Sequence, residues 1–181
     1  MLTAAGVAFD TAPARIDERA AEAALGDAGP ADIALALAEA KAGAVSRLHP
    51  GAWVLGSDSL VVVAGRRFDK PASRADAADH LRAFSGRVMD LYSAGALVRD
   101  GAVLWAHADV ARLHVRQLTE SFIAAYLDAE WPEVGACVGV FRIEGMGVHL
   151  FDRIEGNHFT VLGMPLMPVL GALRGEGLVP A

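Results

Sequence analysis

The sequence predicts an α/β fold, a mixed sheet with flanking helices, and three features carry that reading. Residues 30–48 have the alanine-rich composition and apolar spacing of a helix. Trp53-Val54-Leu55 and Leu60-Val61-Val62-Val63 are short apolar, β-branched runs typical of buried strands. Residues 88–98 and 102–115 are strand-like on either side of Asp100-Gly101, a strong hairpin signal. Helices interleaved with both hairpin and isolated strands indicate one mixed α/β layer system.

Each element follows from local chemistry. In the first long helix Ile33, Leu37, Ala40 and Ala44 form the expected inward stripe, and His49-Pro50-Gly51 ends it. The polar insert Gly56-Ser57-Asp58-Ser59 divides the next apolar stretch into two expected strands, and such a break inside a core needs a reason. Arg66-Arg67 reads as a turn. Ser73-Arg74-Ala75-Asp76 resembles a capping box with Asp in place of Glu, starting a helix to about Phe84 that Ser85-Gly86 stops. Thr119 and Glu120 open an amphipathic helix through Ala129, closed by Trp131-Pro132. Strands are expected around residues 138–143 and 148–154, then a helix after Pro165 reaching Leu173. With no repeat, low-complexity segment or Pro/Ser-rich linker, residues 1–181 read as a single domain.

The composition, 54% hydrophobic and 21% charged, suffices for a sizeable core. The longest apolar stretches are interrupted well short of the roughly 20 residues that cross a bilayer, so no membrane partner is expected. Cys137 is the only cysteine, which excludes an internal disulfide framework and fits a reducing compartment, with the cytoplasm as the expectation. A net charge of -6 argues against a nucleic acid polymer as partner. A small polyanion could still bind through local lysines or a bridging metal.

The sequence has no phosphate-loop glycine pattern, no His-Glu-x-x-His, no Cys-x-x-Cys, no Gly-x-Ser-x-Gly, and no third glycine completing Gly145-Met146-Gly147 as a dinucleotide fingerprint. Its histidines are scattered singly. What remains is a set of charged residues beside apolar segments: Asp17-Glu18 after Ile16, Lys41 in the first long helix, Asp58 after the Trp53 run, and Lys70-Pro71. Asp58 stands out, because Leu55 and Leu60 place it at the mouth of a buried strand pair where an unpartnered carboxylate is costly. A metal or a lysine would offset that cost.

A series of segments runs in one order: Ile16-Asp17-Glu18, Leu37-Ala38-Glu39-Ala40-Lys41-Ala42, Val54-Leu55-Gly56-Ser57-Asp58-Ser59-Leu60-Val61, Asp69-Lys70-Pro71, Phe84-Ser85-Gly86, Gly139-Val140-Phe141-Arg142-Ile143-Glu144-Gly145-Met146-Gly147 and Val161-Leu162-Gly163-Met164-Pro165-Leu166. This order resembles the Maf family over nearly the whole chain. Each is weak alone; their common order is specific.

The resemblance implies a fold like that of the inosine triphosphate pyrophosphatases, with two lobes around a cleft, usually in a homodimer. It implies hydrolysis of a nucleoside triphosphate to monophosphate and pyrophosphate with a divalent cation, Mg²⁺ or Mn²⁺. Asp58 matches the family's proton acceptor; Glu18, Lys41 and Lys70 match the charged residues of the phosphate and metal site; Ser59 and Glu144 match base-selecting positions. Glu18 and Asp58 are the implied metal ligands. Glu144, where other members carry Gln, together with Leu150-Phe151, is similar to the branch acting on 7-methyl-GTP. The family's opening strand and Ser-x-Ser-x-x-Arg loop have no counterpart in the sequence, which implies weak triphosphate binding by the chain as given. The competing expectation is a non-catalytic nucleotide-binding regulator of septum formation or cell division.

The residue chemistry is compatible with these roles. Attack at the α-phosphorus needs a water polarised by a carboxylate or by a metal it holds, and lysines stabilise the departing pyrophosphate.

Overall fold

A computed structural model describes residues 1–180. A 3-10 turn, Thr3–Ala5, is followed by α1 (Glu18–Ala23) and α2 (Pro30–Ser46). Strands β1 (Trp53–Val63) and β2 (Arg66–Phe68) come next, then α3 (Arg74–Phe84), the long strands β3 (Val88–Arg99) and β4 (Ala102–Val115), and α4 (Glu120–Glu130). The chain ends through β5 (Phe151–Glu155), the single turn α5 (His158–Val161) and α6 (Leu166–Gly175). The strands form one sheet in the order β2-β1-β3-β4-β5. β1 and β2 pair antiparallel with Val61 opposite Phe68, and β4 and β5 pair antiparallel with Arg112 opposite Glu155. No helix among the described residues is long and apolar enough to cross a membrane.

The α/β reading of the sequence holds, and the chain divides into two compact units. The first comprises Met1–Ser59, Tyr92–Asp109 and the stretch from Gly163. Its core joins Leu97, Val169 and Leu173 to Leu2, Val7, Trp53, Leu55 and Trp105. The β3-β4 hairpin turns as expected at Asp100-Gly101, with φ of 50° and 79°, the left-handed pair that a two-residue primed turn demands. Asp100 Oδ1 accepts from Gly51 N at 2.6 Å and Ser46 Oγ accepts from Gly101 N at 3.0 Å, so the turn is pinned to the end of α2.

The second unit comprises Leu60–Leu91 and Val110–Leu162. Val61, Val63, Phe68, Leu81, Phe84, Leu113, Tyr126 and Leu127 are among its core side chains. Ser73 Oγ caps α3 by accepting from Asp76 N, and Asp76 in turn accepts from Ala72 N, one residue before the cap, rather than from the Ser73 N–H that a capping-box Glu would take. Thr119 caps α4 in the same way through Phe122 N.

Five local readings are corrected. The two apolar runs either side of Gly56-Ser57-Asp58-Ser59 are one continuous strand, β1, because each polar side chain in the insert finds a partner. The buried stripe of α2 is Ala34, Leu37, Ala38, Ala42 and Val45, not Ile33, Ala40 and Ala44; in a helix with alanine on every side, spacing alone does not choose the face. Arg66 and Arg67 lie in β2, and the turn before it is Ala64-Gly65. Residues 138–143 form no strand: Val140 has a φ of 55°, and its carbonyl takes the Tyr126 hydroxyl rather than a ladder partner. Residues 148–150 belong to a 3-10 turn, Met146–Leu150, which shortens the last strand to Phe151–Glu155.

Candidate functional site

In β1, side chains alternate between faces. Gly56, Asp58 and Leu60 fall on one face, and Ser57 and Ser59 on the other. On the first face α2 comes unusually close, since a Cβ added to Gly56 would lie 2.3 Å from Ala38 O and 2.9 Å from Ala42 N. Glycine at 56 therefore sets the helix-strand distance. Lys41 follows the buried Leu37 and Ala38 on α2 by one turn, so its stem runs along the packed face and its ammonium reaches the strand.

Lys41 Nζ lies 2.5 Å from Asp58 Oδ1 and 3.0 Å from Glu18 Oε1. Glu18 is the first residue of α1, a helix started by Asp17, whose Oδ1 accepts from Ala20 N at 3.0 Å. The side chains of Asp58, Lys41 and Glu18 are 9%, 22% and 53% exposed, so the trio grades from the interior to solvent. Burial pulls the Lys41 pKa down, but its hydrogen bonds to Asp58 and Glu18, with their charge, more than offset this and raise it above 10.5. Lys41 is thus a fixed cation between two carboxylates.

On the opposite face, Ser57 Oγ donates to Ala94 O at 2.8 Å or Gly163 O at 3.1 Å. Ser59 Oγ lies 3.1 Å from Gly163 O and 2.9 Å from the buried Ser93 Oγ. If Ser59 gives its proton to Gly163 O and Ser93 donates to Ser59, the Ser59 oxygen keeps one lone pair for an incoming N–H. Beside β1 the first unit also has an open cavity of about 790 Å³, lined by Phe9, Trp53, Leu55 and Lys41 among others.

Lys70 and Glu144 belong to the second unit, so Glu18, Lys41, Asp58 and Ser59 are the predicted residues that one unit brings together. Lys70 is exposed after β2, and Glu144 is exposed in the turn before Met146–Leu150. Both lie within electrostatic reach of Cys137: burial pushes that thiol's pKa up, Glu144 adds to the rise, and Arg142 and Lys70 oppose it. Ser93, the Gly163 carbonyl, Gly56 and the buried Glu130 escape the sequence reading. Only Glu130 left a signal, a carboxylate on the same helical face as Ile123, Tyr126 and Leu127.

No cluster of three or more His, Cys, Asp or Glu that could hold a metal occurs among the described residues. The donors at the trio are two carboxylates, hard oxygen ligands of the kind Mg²⁺ takes one or two of while phosphate and water complete its shell. The donor set therefore suits a cation that arrives with a phosphate ligand.

The profile of the family described as Maf-like protein matches residues 1–176. A protein of Rhodopseudomonas palustris (strain ATCC BAA-98 / CGA009) named nucleoside triphosphate pyrophosphatase is 50% identical over 179 residues, covering 99% of this chain and 89% of its own. A protein of Nitrobacter hamburgensis with the same name is 48% identical over the same coverage. A Rhizobium etli protein named 7-methyl-GTP pyrophosphatase is 50% identical over 177 residues, covering 97% of this chain and 89% of its own. The chain belongs to the Maf family.

Proposed function

We propose that this protein hydrolyses a nucleoside triphosphate to its monophosphate and pyrophosphate, and that Asp58 is its catalytic carboxylate. One observation carries the reading: Asp58 and Glu18 converge on the single ammonium of Lys41. A carboxylate at the inner end of such a trio can take a proton from water or hold a cation, and the names of the relatives above support this chemistry. Lys41, with Lys70, offsets the charge of the triphosphate and of the departing pyrophosphate. Glu18 and Asp58 would hold a divalent cation, Mg²⁺ or Mn²⁺, which when bound lowers the pKa of water and neutralises phosphate charge.

For the base, we propose a guanine ring of the 7-methylated type. Glu144 only accepts hydrogen bonds, which suits the N1–H and N2–H₂ edge of guanine, and its charge attracts the cationic methylated ring. Ser59, whose oxygen keeps a lone pair for an incoming N–H, is the other residue we assign to base selection. The Rhizobium etli relative's name supports this finer reading. The test is pyrophosphate release from a panel of triphosphates, with and without Mg²⁺, by the native chain and by Asp58→Asn. Binding without turnover would instead favour a regulatory, non-catalytic protein.

A further inference from the structure

The second unit holds a carboxylate that the proposed reaction does not use. Glu130, in the last turn of α4, has a side chain only 7% exposed. Its Oε2 accepts from Arg142 Nε at 3.1 Å and Nη2 at 2.9 Å, and its Oε1 accepts from Met146 N at 3.1 Å. The two donors flank Glu144 symmetrically, two residues before it and two after. One helical turn earlier on α4, the buried Tyr126 hydroxyl donates to Val140 O at 2.9 Å, so the helix grips the 140–146 segment at three points.

The turn so gripped has little slack. Gly145 N donates to Arg142 O at 3.1 Å. A Cβ on Gly145 would lie 3.1 Å from Glu130 Oε1, and one on Gly147 would lie 2.4 Å from Arg142 O. An apolar contact would hold such a turn against α4 without the cost of burying a charge. The Glu130 carboxylate does something else: two N–H groups of Arg142 converge on one of its oxygens and Met146 N–H on the other, so charge-assisted bonds hold the turn on both sides of Glu144.

We propose that Glu130 and Arg142 are positioning residues that orient the Glu144 carboxylate, and that this clamp sets how sharply the protein discriminates between bases. The inference rests on the reading of Glu144 as the base-contacting residue. Glu130 touches no substrate in this account; it acts through the turn. Glu130→Gln keeps an acceptor for Met146 N but loses the charge-assisted pair. Arg142→Lys keeps the charge at a more exposed position and loses the fork.

The experiment measures kcat and KM of the native chain, Glu130→Gln, Arg142→Lys and Glu144→Gln on 7-methyl-GTP, GTP and UTP, with a melting curve for each. Loss of orientation in Glu130→Gln should cut the kcat/KM ratio of 7-methyl-GTP to UTP by about tenfold, chiefly by raising KM for the guanine substrate. Arg142→Lys should move it the same way by less. If Glu144→Gln changes the ranking while neither clamp variant does, the clamp is refuted and the Glu144 reading stands. If Glu144→Gln leaves the ranking unchanged, the Glu144 reading falls and this inference with it. A lower melting temperature with equal loss on every substrate would make Glu130 merely structural and overturn the proposal. Should Glu130→Gln fail to fold, Arg142→Lys decides by the same ratio.

Discussion

The Lys41 ammonium sits 2.5 Å from Asp58 Oδ1 and 3.0 Å from Glu18 Oε1, tying a helix, a strand and a second helix together through one cation. The two bonds are unequal in kind. Asp58 is nearly enclosed while Glu18 stands in solvent, where an ion pair is weakened by water and salt.

That inequality is measurable in a double-mutant cycle by urea unfolding. Lys41→Met should cost about 1–3 kcal/mol, because it removes the ammonium from a buried carboxylate. Glu18→Gln should cost only about 0–1 kcal/mol, as exposed pairs do. Coupling of Lys41 to Glu18 as large as that to Asp58 would show that exposure does not grade this trio.

Gly56 is the second structural requirement of the site. Gly56→Ala would force a methyl into the backbone of α2, with Ala38 O at 2.3 Å and Ala42 N at 2.9 Å as the obstacles. Overpacking against backbone of this kind should destabilise by about 2–3 kcal/mol and move Lys41 off Asp58. Turnover should therefore fall further than the melting temperature alone explains. An unchanged melting temperature and rate would mean that α2 is free to shift.

An acid limb should trace to Glu130. The hydrogen bonds from Arg142 and then from Met146 N hold its pKa below the ordinary 4.5, outweighing its burial. A carboxyl whose pKa is depressed on folding contributes stability that is complete above the unfolded value and is lost as pH falls through the folded one. Arg142 is pushed upward and stays charged, and burial, ahead of the Glu130 charge, raises the Tyr126 hydroxyl, so neither titrates in that window. The stability gap between native chain and Glu130→Gln should be constant above pH 4.5 and shrink below it. A gap independent of pH down to about 2 would contradict the assignment.

Glu144 makes a prediction of its own. In Glu144→Gln the amide can donate to a pyrimidine carbonyl, so UTP and dTTP should gain relative to 7-methyl-GTP, each mispaired contact being worth about 1–3 kcal/mol. Competition assays with paired substrates report the ratio directly, and an unchanged ranking would remove Glu144 from base selection.

Helices with a clear start were legible in the sequence: Ser73 and Thr119 announced α3 and α4, and Asp100-Gly101 announced the hairpin. That Asp58 would have a partner was legible too, since an unpartnered carboxylate between apolar runs is costly. Its place mid-strand was not, because the bonds that keep β1 continuous come from Lys41, Ala94, Ser93 and Gly163, all distant in sequence. The same holds for residues 138–146, which are apolar enough for a strand but are held by Tyr126 and Glu130 through bonds that no local pattern shows. Alanine-rich α2 failed for a simpler reason: with small apolar residues all round, the strand that approaches decides the face.

The most direct test of the central claim is the product formed per turnover by the native chain and by Asp58→Asn, followed by separating nucleotide products and assaying pyrophosphate and orthophosphate together. The account predicts monophosphate and pyrophosphate in equal amounts from the native chain with Mg²⁺, and a rate lower by about two orders of magnitude or more in Asp58→Asn, whose fold should persist. Diphosphate with orthophosphate as first products, or an Asp58→Asn chain as fast as the native one, would contradict it.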